Sequence, residues 1–121
     1  IFFTGGISDV RSILSRLDVY VCSSRAEGWG MSLWEAMAMA RPVVSTDVGD
    51  VAQHLVDGKR GFIVPVDDAE TMADRIGKLL GVPKLRARMG ATARDAVTDS
   101  FAPEVIAERT LVFYNRCTRL Q

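Results

Sequence analysis

The sequence predicts an α/β domain in which a parallel sheet of about four strands is flanked by helices. Short runs of β-favouring residues, such as Val43 to Thr46 and Gly61 to Val64, alternate with longer stretches that are rich in helix formers. Alternation of this kind is typical of a parallel sheet with right-handed crossovers. Nothing in the chain resembles a linker or a repeat, so we expect one domain.

Four runs are predicted as strands because they combine β-branched or aromatic residues with turn residues at their ends. The second run is rich in Val and Tyr and ends in small polar residues. Pro42 opens the third run, where the loss of one N–H group is tolerated. Asp57 and Gly58 form a turn before the fourth run. The predicted strands are 1–5, 18–24, 43–46 and 61–64.

Helix boundaries are predicted from capping residues and prolines. Ser8 or Asp9 caps the first helix, Asp67 or Asp68 begins the fourth, and Pro103 lies near the start of the last. The predicted helices run over about 9–16, 31–40, 50–56, 68–80, 84–99 and from 103 onward. A stripe in the last helix is predicted to face the core and consists of Ile106, Thr110, Phe113 and Cys117.

Glu35 is the residue for which the sequence most clearly predicts a ligand. Helix 31–40 reads MSLWEAMAMA and is apolar around its whole surface except at Ser32 and Glu35, so we expect it to be buried. Glu35 has no Lys or Arg three or four residues away, and burying an unpaired carboxylate costs several kcal/mol or raises its pKa. A vicinal diol such as that of a ribose could donate two O–H hydrogen bonds to this carboxylate. The alternative is an ion pair with Arg25 or Arg41.

The loop before this helix is predicted to bind an anion. Glycine lets the backbone approach a phosphate closely, and a helix N-terminus presents free N–H groups with a partial positive charge. The predicted cradle consists of Gly28, Trp29, Gly30, Met31 and Ser32. Trp29 is predicted either to stack on a sugar or base, or to pack the loop against the core. Loops 5–6, 25–30 and 47–50 all follow strands and are expected to converge at the ligand-binding edge.

The overall composition excludes several classes of function. The chain has 15 basic and 15 acidic residues and no net charge, which is not the pattern of a nucleic-acid-binding protein. No apolar run approaches the ~20 residues needed to cross a bilayer. Cys22 and Cys117 are too few for a disulfide scaffold and favour a reducing compartment, so we expect a cytoplasmic protein.

Three polar residues invite other interpretations. His54 is the only histidine and could titrate near neutral pH, but no hydroxyl or carboxylate arrangement surrounds it in the sequence. We therefore predict a structural role for it. Asp47 and Asp50 flank a glycine and could offer oxygen ligands to a metal ion. Capping of the next helix is the favoured interpretation.

The segment from Ser24 to Gly49, SRAEGWGMSLWEAMAMARPVVSTDVG, resembles the Glu-x7-Glu signature of retaining GT-B glycosyltransferases of family 4. The resemblance continues through VDGKRGFIV at 56–64, the Asp-Asp pair at 67–68 and MGATAR at 89–94, and so covers almost the whole chain. It implies that Glu35 binds the ribose of a nucleotide diphosphate sugar and that Glu27 approaches hydroxyls of the transferred hexose. The amides of Gly30 to Ser32 would hold the diphosphate. No metal cofactor is implied.

This resemblance further implies that residues 1–121 form the second half of a Rossmann-like, C-terminal donor-binding domain. The N-terminal acceptor domain, the first strands and a basic pair that grips the diphosphate would lie outside the sequence, so the chain alone is expected to be inactive. The parent enzyme would act on an acceptor glycan, lipid or small molecule, with a membrane-peripheral position as one option. The sheet would be completed by direct strand pairing, by preceding chain or by a second copy.

The alternative function is a non-catalytic α/β module that binds a nucleotide or a partner. A receiver-type signalling domain has a similar length, but it requires an acidic cluster after its first strand, where this chain has Thr4-Gly5-Gly6. A degenerate glycosyltransferase domain has no such conflict. Glu27 would then be a solvated loop residue.

Overall fold

Three parallel strands form the sheet in the computed structural model, which describes residues 1–118. The strands β1 (Tyr20–Cys22), β2 (Val43–Thr46) and β3 (Gly61–Val64) lie in the order β1-β2-β3. Their register pairs Tyr20 with Val43 and Val43 with Gly61. All four residues of β2 are buried because this strand is central. The predicted α/β class with a parallel sheet is therefore confirmed, with three strands.

Residues 1–5 do not form the strand that their sequence predicts. Ile1, Phe2 and Phe3 are 109%, 97% and 95% exposed and pair with no strand. A strand is stabilised by hydrogen bonds and side-chain contacts with a neighbour, so β-favouring residues alone do not produce one. Within residues 1–118, β1 is therefore an edge strand of the sheet, as is β3.

Six helices accompany the sheet in the part of the chain that the structure describes. They are α1 (Arg11–Leu14), α2 (Met31–Ala38), α3 (Val51–His54), α4 (Ala69–Gly81), α5 (Pro83–Phe101) and α6 (Pro103–Thr118). Local sequence signals set several of their ends. Asp68 caps α4 by accepting a hydrogen bond from the amide of Thr71 at 2.9 Å. Pro83 and Pro103 begin α5 and α6, where a missing N–H group costs nothing.

The core lies on both faces of the sheet, since successive residues of β2 point to opposite sides. Val43 packs with Leu33 and Met37 of α2, whereas Val44 packs with Leu79 of α4. Helix α5 contributes to both apolar clusters. Its Ala93 belongs to the cluster that contains Val43, and its Met89 belongs to the cluster that contains Val44. The helix α2 is thereby held against one face of the sheet, directly after β1 in the chain.

Helix α6 contradicts the prediction that its apolar stripe faces the core. None of its described residues is buried, and Ile106 and Phe113 are 42% and 63% exposed. The helix contacts α5 but has no sheet surface beneath it. Hydrophobic periodicity indicates which side of a helix is apolar but does not supply a surface to cover that side. Within residues 1–118, the length and hydropathy required to cross a membrane are not combined in any helix.

Candidate functional site

The loops after β1 and β2 meet at the carboxyl edge of the sheet. Gly49 has φ +55°, and a Cβ atom there would lie 2.8 Å from the carbonyl oxygen of Glu27 and 3.0 Å from that of Gly28. Only glycine fits both the backbone conformation and this close approach. The predicted convergence of these two loops is therefore confirmed. Gly5 and Gly6 are exposed with no atom within 4 Å of their Cβ positions, so they do not join the site.

Glu27 is exposed, and a short chain of hydrogen bonds orients it. The hydroxyl of Ser24 donates to Oε1 of Glu27 at 2.7 Å. Buried Thr46, at the end of β2, in turn donates to the carbonyl oxygen of Ser24 at 2.6 Å. The sheet thus fixes the residue that bonds to Glu27. One carboxylate oxygen is engaged by Ser24, and no hydrogen bond from residues 1–118 engages the other.

The expectation that Glu35 is buried is wrong. Helix α2 buries only one side, formed by Leu33, Trp34, Ala36 and Met37, whereas Glu35 lies on the exposed side. Water solvates its charge there, so no buried ligand is required to compensate for it. Met and Ala residues lie on every side of this helix, so the sequence suggested burial all round. Both residue types also occur at exposed positions, as Met31 and Ala38 do here.

Glu35 also forms no ion pair with either of the cations considered from the sequence. Arg25 instead pairs with Asp67 at 2.8 Å, across the end of the sheet. The guanidinium of Arg41 donates to the carbonyl oxygens of Leu17 and Met39, each at 2.9 Å. In residues 1–118, no salt bridge or side-chain hydrogen bond engages the Glu35 carboxylate. Its oxygens are available to a ligand.

The N-terminus of α2 presents free amides beside Glu35. Gly30 has φ +61° and occupies the N-cap position without a side-chain cap. The amide of Leu33 makes the first intrahelical bond, to the carbonyl oxygen of Gly30 at 2.9 Å. The amides of Met31 and Ser32 have no acceptor among the described residues, and both side chains are exposed. Free amides and the positive end of the helix favour an anion at this position.

Tyr20 is a site residue that sequence reasoning missed. Its phenolic oxygen is hydrogen-bonded to Oγ of Ser32 at 2.7 Å, which connects the start of β1 to the first turn of α2. Burial raises the pKa of Tyr20, its hydrogen bond with Ser32 opposes that shift, and the nearby charges of Glu27 and Glu35 raise the pKa further. Tyr20 is therefore in direct contact with Ser32, and the charges of both glutamates act on its phenol. No local pattern predicts a contact between residues 12 positions apart.

Trp29 packs within an aromatic cluster, which favours the packing interpretation of its role. The cluster consists of Trp29, Trp34, His54 and Phe101, with ring centroids 4.9 Å to 6.3 Å apart. The indole N–H of Trp34 donates to the carbonyl oxygen of Trp29 at 2.8 Å. Trp29 keeps 46% of its surface exposed. The cluster holds the loop at 28–30 against α2, α3 and the end of α5. His54 contacts the three other rings of the cluster, which agrees with the structural role predicted for it.

Replacing Phe101 with Ala should loosen this loop. The ring contacts Trp29, Trp34 and His54, and its loss should lower the free energy of unfolding by about 1–3 kcal/mol, less than for a fully buried Phe. Urea unfolding measures that change, and tryptophan emission should shift to longer wavelength in the folded state. Phe113→Ala is the control because Phe113 is 63% exposed. Equal unfolding energies for the two variants would contradict the role of the cluster.

The acidic loop 47–50 does not behave as predicted. The carboxylate of Asp50 accepts a hydrogen bond from the side-chain amide of Gln53 at 3.0 Å and makes no capping bond to α3. Within residues 1–118, no three His, Cys, Asp or Glu side chains are grouped closely enough to hold a metal ion together.

A family model described as "Glycosyl transferases group 1" matches residues 1–96 of this chain. The chain is 35% identical over 115 residues to a lipopolysaccharide core biosynthesis mannosyltransferase, LpcC, from Rhizobium leguminosarum bv. viciae, covering 95% of this chain and 33% of that protein. It is 33% identical over 109 residues to the capsular polysaccharide biosynthesis glycosyltransferase CapM from Staphylococcus aureus, covering 90% of this chain and 29% of that protein.

Solved structures have the same fold. Sucrose-phosphate synthase from Thermosynechococcus elongatus superposes with a TM-score of 0.85 at 28% identity, over 93% of this chain and 28% of that one. A variant of S. aureus TarM, in complex with UDP, fondaparinux and alpha-GlcNAc-glycerol, gives a TM-score of 0.85 at 31% identity, over 94% of this chain and 23% of that one. The chain therefore spans a third or less of the length of these relatives.

Proposed function

This chain belongs to the group 1 glycosyltransferases, and we propose that it is the donor-binding part of a retaining, family 4 GT-B enzyme that transfers a hexose. In this proposal, residues 1–121 form the second half of the C-terminal domain, and an acceptor domain lies elsewhere in the parent protein. The observation that carries the proposal is the exposed face of α2, where Glu35 and free amides adjoin each other.

The diphosphate of the donor is proposed to bind at the start of α2. The amides of Met31 and Ser32 have no acceptor within residues 1–118, and Gly30 leaves room above them because nothing lies within 4 Å of its Cβ position. Backbone N–H groups and the helix dipole favour negative charge at this position. In transfer, the same groups would stabilise the charge that develops on the departing diphosphate.

The two glutamates are proposed to bind the two sugars of the donor. Glu35 lies one helical turn beyond Ser32, on the same exposed side, so its carboxylate can accept two O–H bonds from the ribose while the amides hold the phosphates. Glu27 lies across the loop and is oriented by Ser24. Its outer oxygen would accept a hydrogen bond from the transferred hexose and place the anomeric carbon for reaction.

The site is proposed to work without a metal ion. Positive potential at the diphosphate would come from the amides of α2 and from cationic residues of the parent protein, and the acceptor would be a glycan, a lipid or a small molecule. Support for a nucleotide sugar comes from the TarM variant, at 31% identity, whose solved complex contains UDP. Isolated, this chain is expected to bind a nucleotide weakly and not to turn over.

Calorimetric titration with UDP-, GDP- and ADP-sugars tests this proposal directly. We expect the parent protein to bind one nucleotide class at least about tenfold more tightly than the others, since a site that hydrogen-bonds to one base rejects bases with a different hydrogen-bonding pattern. The affinity should not change when EDTA removes divalent metal ions. Failure of all three donors to bind would contradict the proposal, and a requirement for metal would contradict its metal-independent form.

A further inference from the structure

Glu27 is exposed, yet one hydrogen bond limits the positions that its carboxylate can take. Oγ of Ser24 lies 2.7 Å from Oε1 of Glu27, within the loop that follows β1. An ionised carboxylate has no proton to donate, so the hydroxyl of Ser24 is the donor in this bond. An exposed glutamate without such a partner samples several rotamers and loses that freedom only when a ligand binds. Ser24 removes part of this freedom before a ligand arrives.

The position of Ser24 is set from the interior of the sheet. Thr46, the last residue of the central strand β2, is 3% exposed. Its hydroxyl donates to the carbonyl oxygen of Ser24 at 2.6 Å and lies 3.4 Å from the carbonyl oxygen of Cys22, at the end of β1. A carbonyl oxygen only accepts, so the direction of these contacts is fixed as well. A buried strand residue thus holds the residue that orients Glu27.

The backbone of Glu27 is confined by a different contact, with the loop after β2. A Cβ atom on Gly49 would lie 2.8 Å from the carbonyl oxygen of Glu27, so the two loops touch there. The side chain and the backbone of Glu27 are therefore held independently. A residue held in this way is preorganised, because binding a ligand requires little further ordering of it.

We propose that Ser24, fixed by Thr46, is a positioning residue that acts through Glu27 and directs Oε2 of its carboxylate to one hydroxyl of the transferred hexose. No hydrogen bond from residues 1–118 engages Oε2. The inference rests on the proposed function and deepens it, because it assigns the orientation of Glu27 to two residues outside the glycine loop. Their effect is confined to the sugar and does not extend to the nucleotide.

The test compares hexose-bearing donors with free nucleoside diphosphates on the full-length parent protein. The probes are UDP-glucose, UDP-N-acetylglucosamine, GDP-mannose and ADP-glucose, titrated beside UDP, GDP and ADP. For the donor that wild type binds most tightly, Ser24→Ala should lower the affinity about 3- to 10-fold, because the ligand must then order Glu27. The affinity for the matching nucleoside diphosphate should stay constant. A purely structural role of Ser24 would lower both.

Variants of Glu27 and Thr46 test the two links of this chain of contacts. In a Glu27→Ala background, Ser24→Ala should cause no further loss, because Ser24 then has nothing to position. Thr46→Val removes the donor to the Ser24 carbonyl and should weaken donor binding about 2- to 5-fold, the effect of a modest hydrogen bond. Thr46→Ser keeps the hydroxyl and should retain wild-type affinity.

Donors that lack one hydroxyl of the hexose identify the group that Glu27 binds. In wild type, loss of that hydroxyl should weaken binding about 3- to 10-fold, and in Glu27→Ala it should have no effect. At every other hydroxyl, the two proteins should respond equally. A difference at two or more hydroxyls would contradict the single contact.

Ser23→Ala is the matched control, since Ser23 directly precedes Ser24, is exposed and makes no side-chain hydrogen bond within residues 1–118. It should leave both affinities unchanged. Equal donor affinities of wild type and Ser24→Ala would overturn the inference, as would equal losses for donor and nucleoside diphosphate or additive losses with Glu27→Ala. A wild-type protein that binds no UDP, GDP or ADP would instead overturn the proposed function itself.

Discussion

Replacing Glu35 with Gln should weaken the binding of a nucleotide diphosphate sugar by about 10- to 100-fold, the effect expected when hydrogen bonds to a charged group are lost. An ionised carboxylate accepts two O–H bonds from a ribose, whereas an amide offers one oxygen and directs an N–H₂ group at the other hydroxyl. Because Glu35 is exposed and has no protein partner in residues 1–118, the change should not alter stability. Calorimetry with the nucleoside diphosphate and its hexose derivative measures the affinities.

Glu27→Gln serves as the counterpart in the same experiment. Its proposed contact is with the hexose, so the variant should bind the nucleoside diphosphate normally and lose affinity and transfer rate only for the sugar-bearing donor. Glu108→Gln is a neutral control, because Glu108 lies exposed on α6, away from the site. Wild-type affinities in both Glu35→Gln and Glu27→Gln would leave the assignment of the site without support.

Replacing Gly90 with Ala should destabilise the fold by about 2–4 kcal/mol, at the upper end of overpacking effects. Gly90 is buried in α5 where this helix crosses the end of α2, and an added Cβ would overlap the carbonyl oxygen of Ala40. That oxygen belongs to the backbone, and Ala40 already has φ +56°. Helix α5 would have to move away from α2. Helix α2, which carries the proposed site, would then lose part of its support.

The control for Gly90 is a second helical glycine with open space around it. Gly77 lies exposed in α4, with no atom within 4 Å of its Cβ position. Gly77→Ala should therefore raise the free energy of unfolding by about 0.5–1 kcal/mol, since alanine favours the helix. Urea unfolding of both variants gives the comparison. A Gly90→Ala variant within about 0.5 kcal/mol of wild type would refute the close packing of α5 on α2.

Local sequence signals were sufficient for most of the elements. The strands at 43–46 and 61–64 match the prediction at both ends, and Pro42 and the turn at Asp57 and Gly58 mark where they begin. Asp68 caps α4 as predicted, and α6 begins at Pro103. These signals act over one to four residues, within the same stretch of chain, so their physical effect is already contained in the sequence.

The burial of Glu35 was mispredicted for a different reason. Apolar composition around a helix does not reveal how wide a surface the sheet offers, and in this chain α2 covers β1 and β2 with one side only. The same reasoning applies to α6, whose apolar stripe has no surface to cover, and to residues 1–5, which have no paired neighbour. Burial requires an apolar surface and a second surface that covers it, and the sequence pattern of one helix or strand describes only the first.

By itself, the sequence determined that this chain is an α/β domain, where most of its elements begin and end, and that two glutamates flank a glycine loop before a helix. Only the tertiary structure decided that Tyr20 holds Ser32 and that Phe101 packs beneath Trp29. Those contacts join residues that are distant in the chain. They depend on the angles and distances at which helices pack on the sheet, which the whole set of packed side chains fixes together.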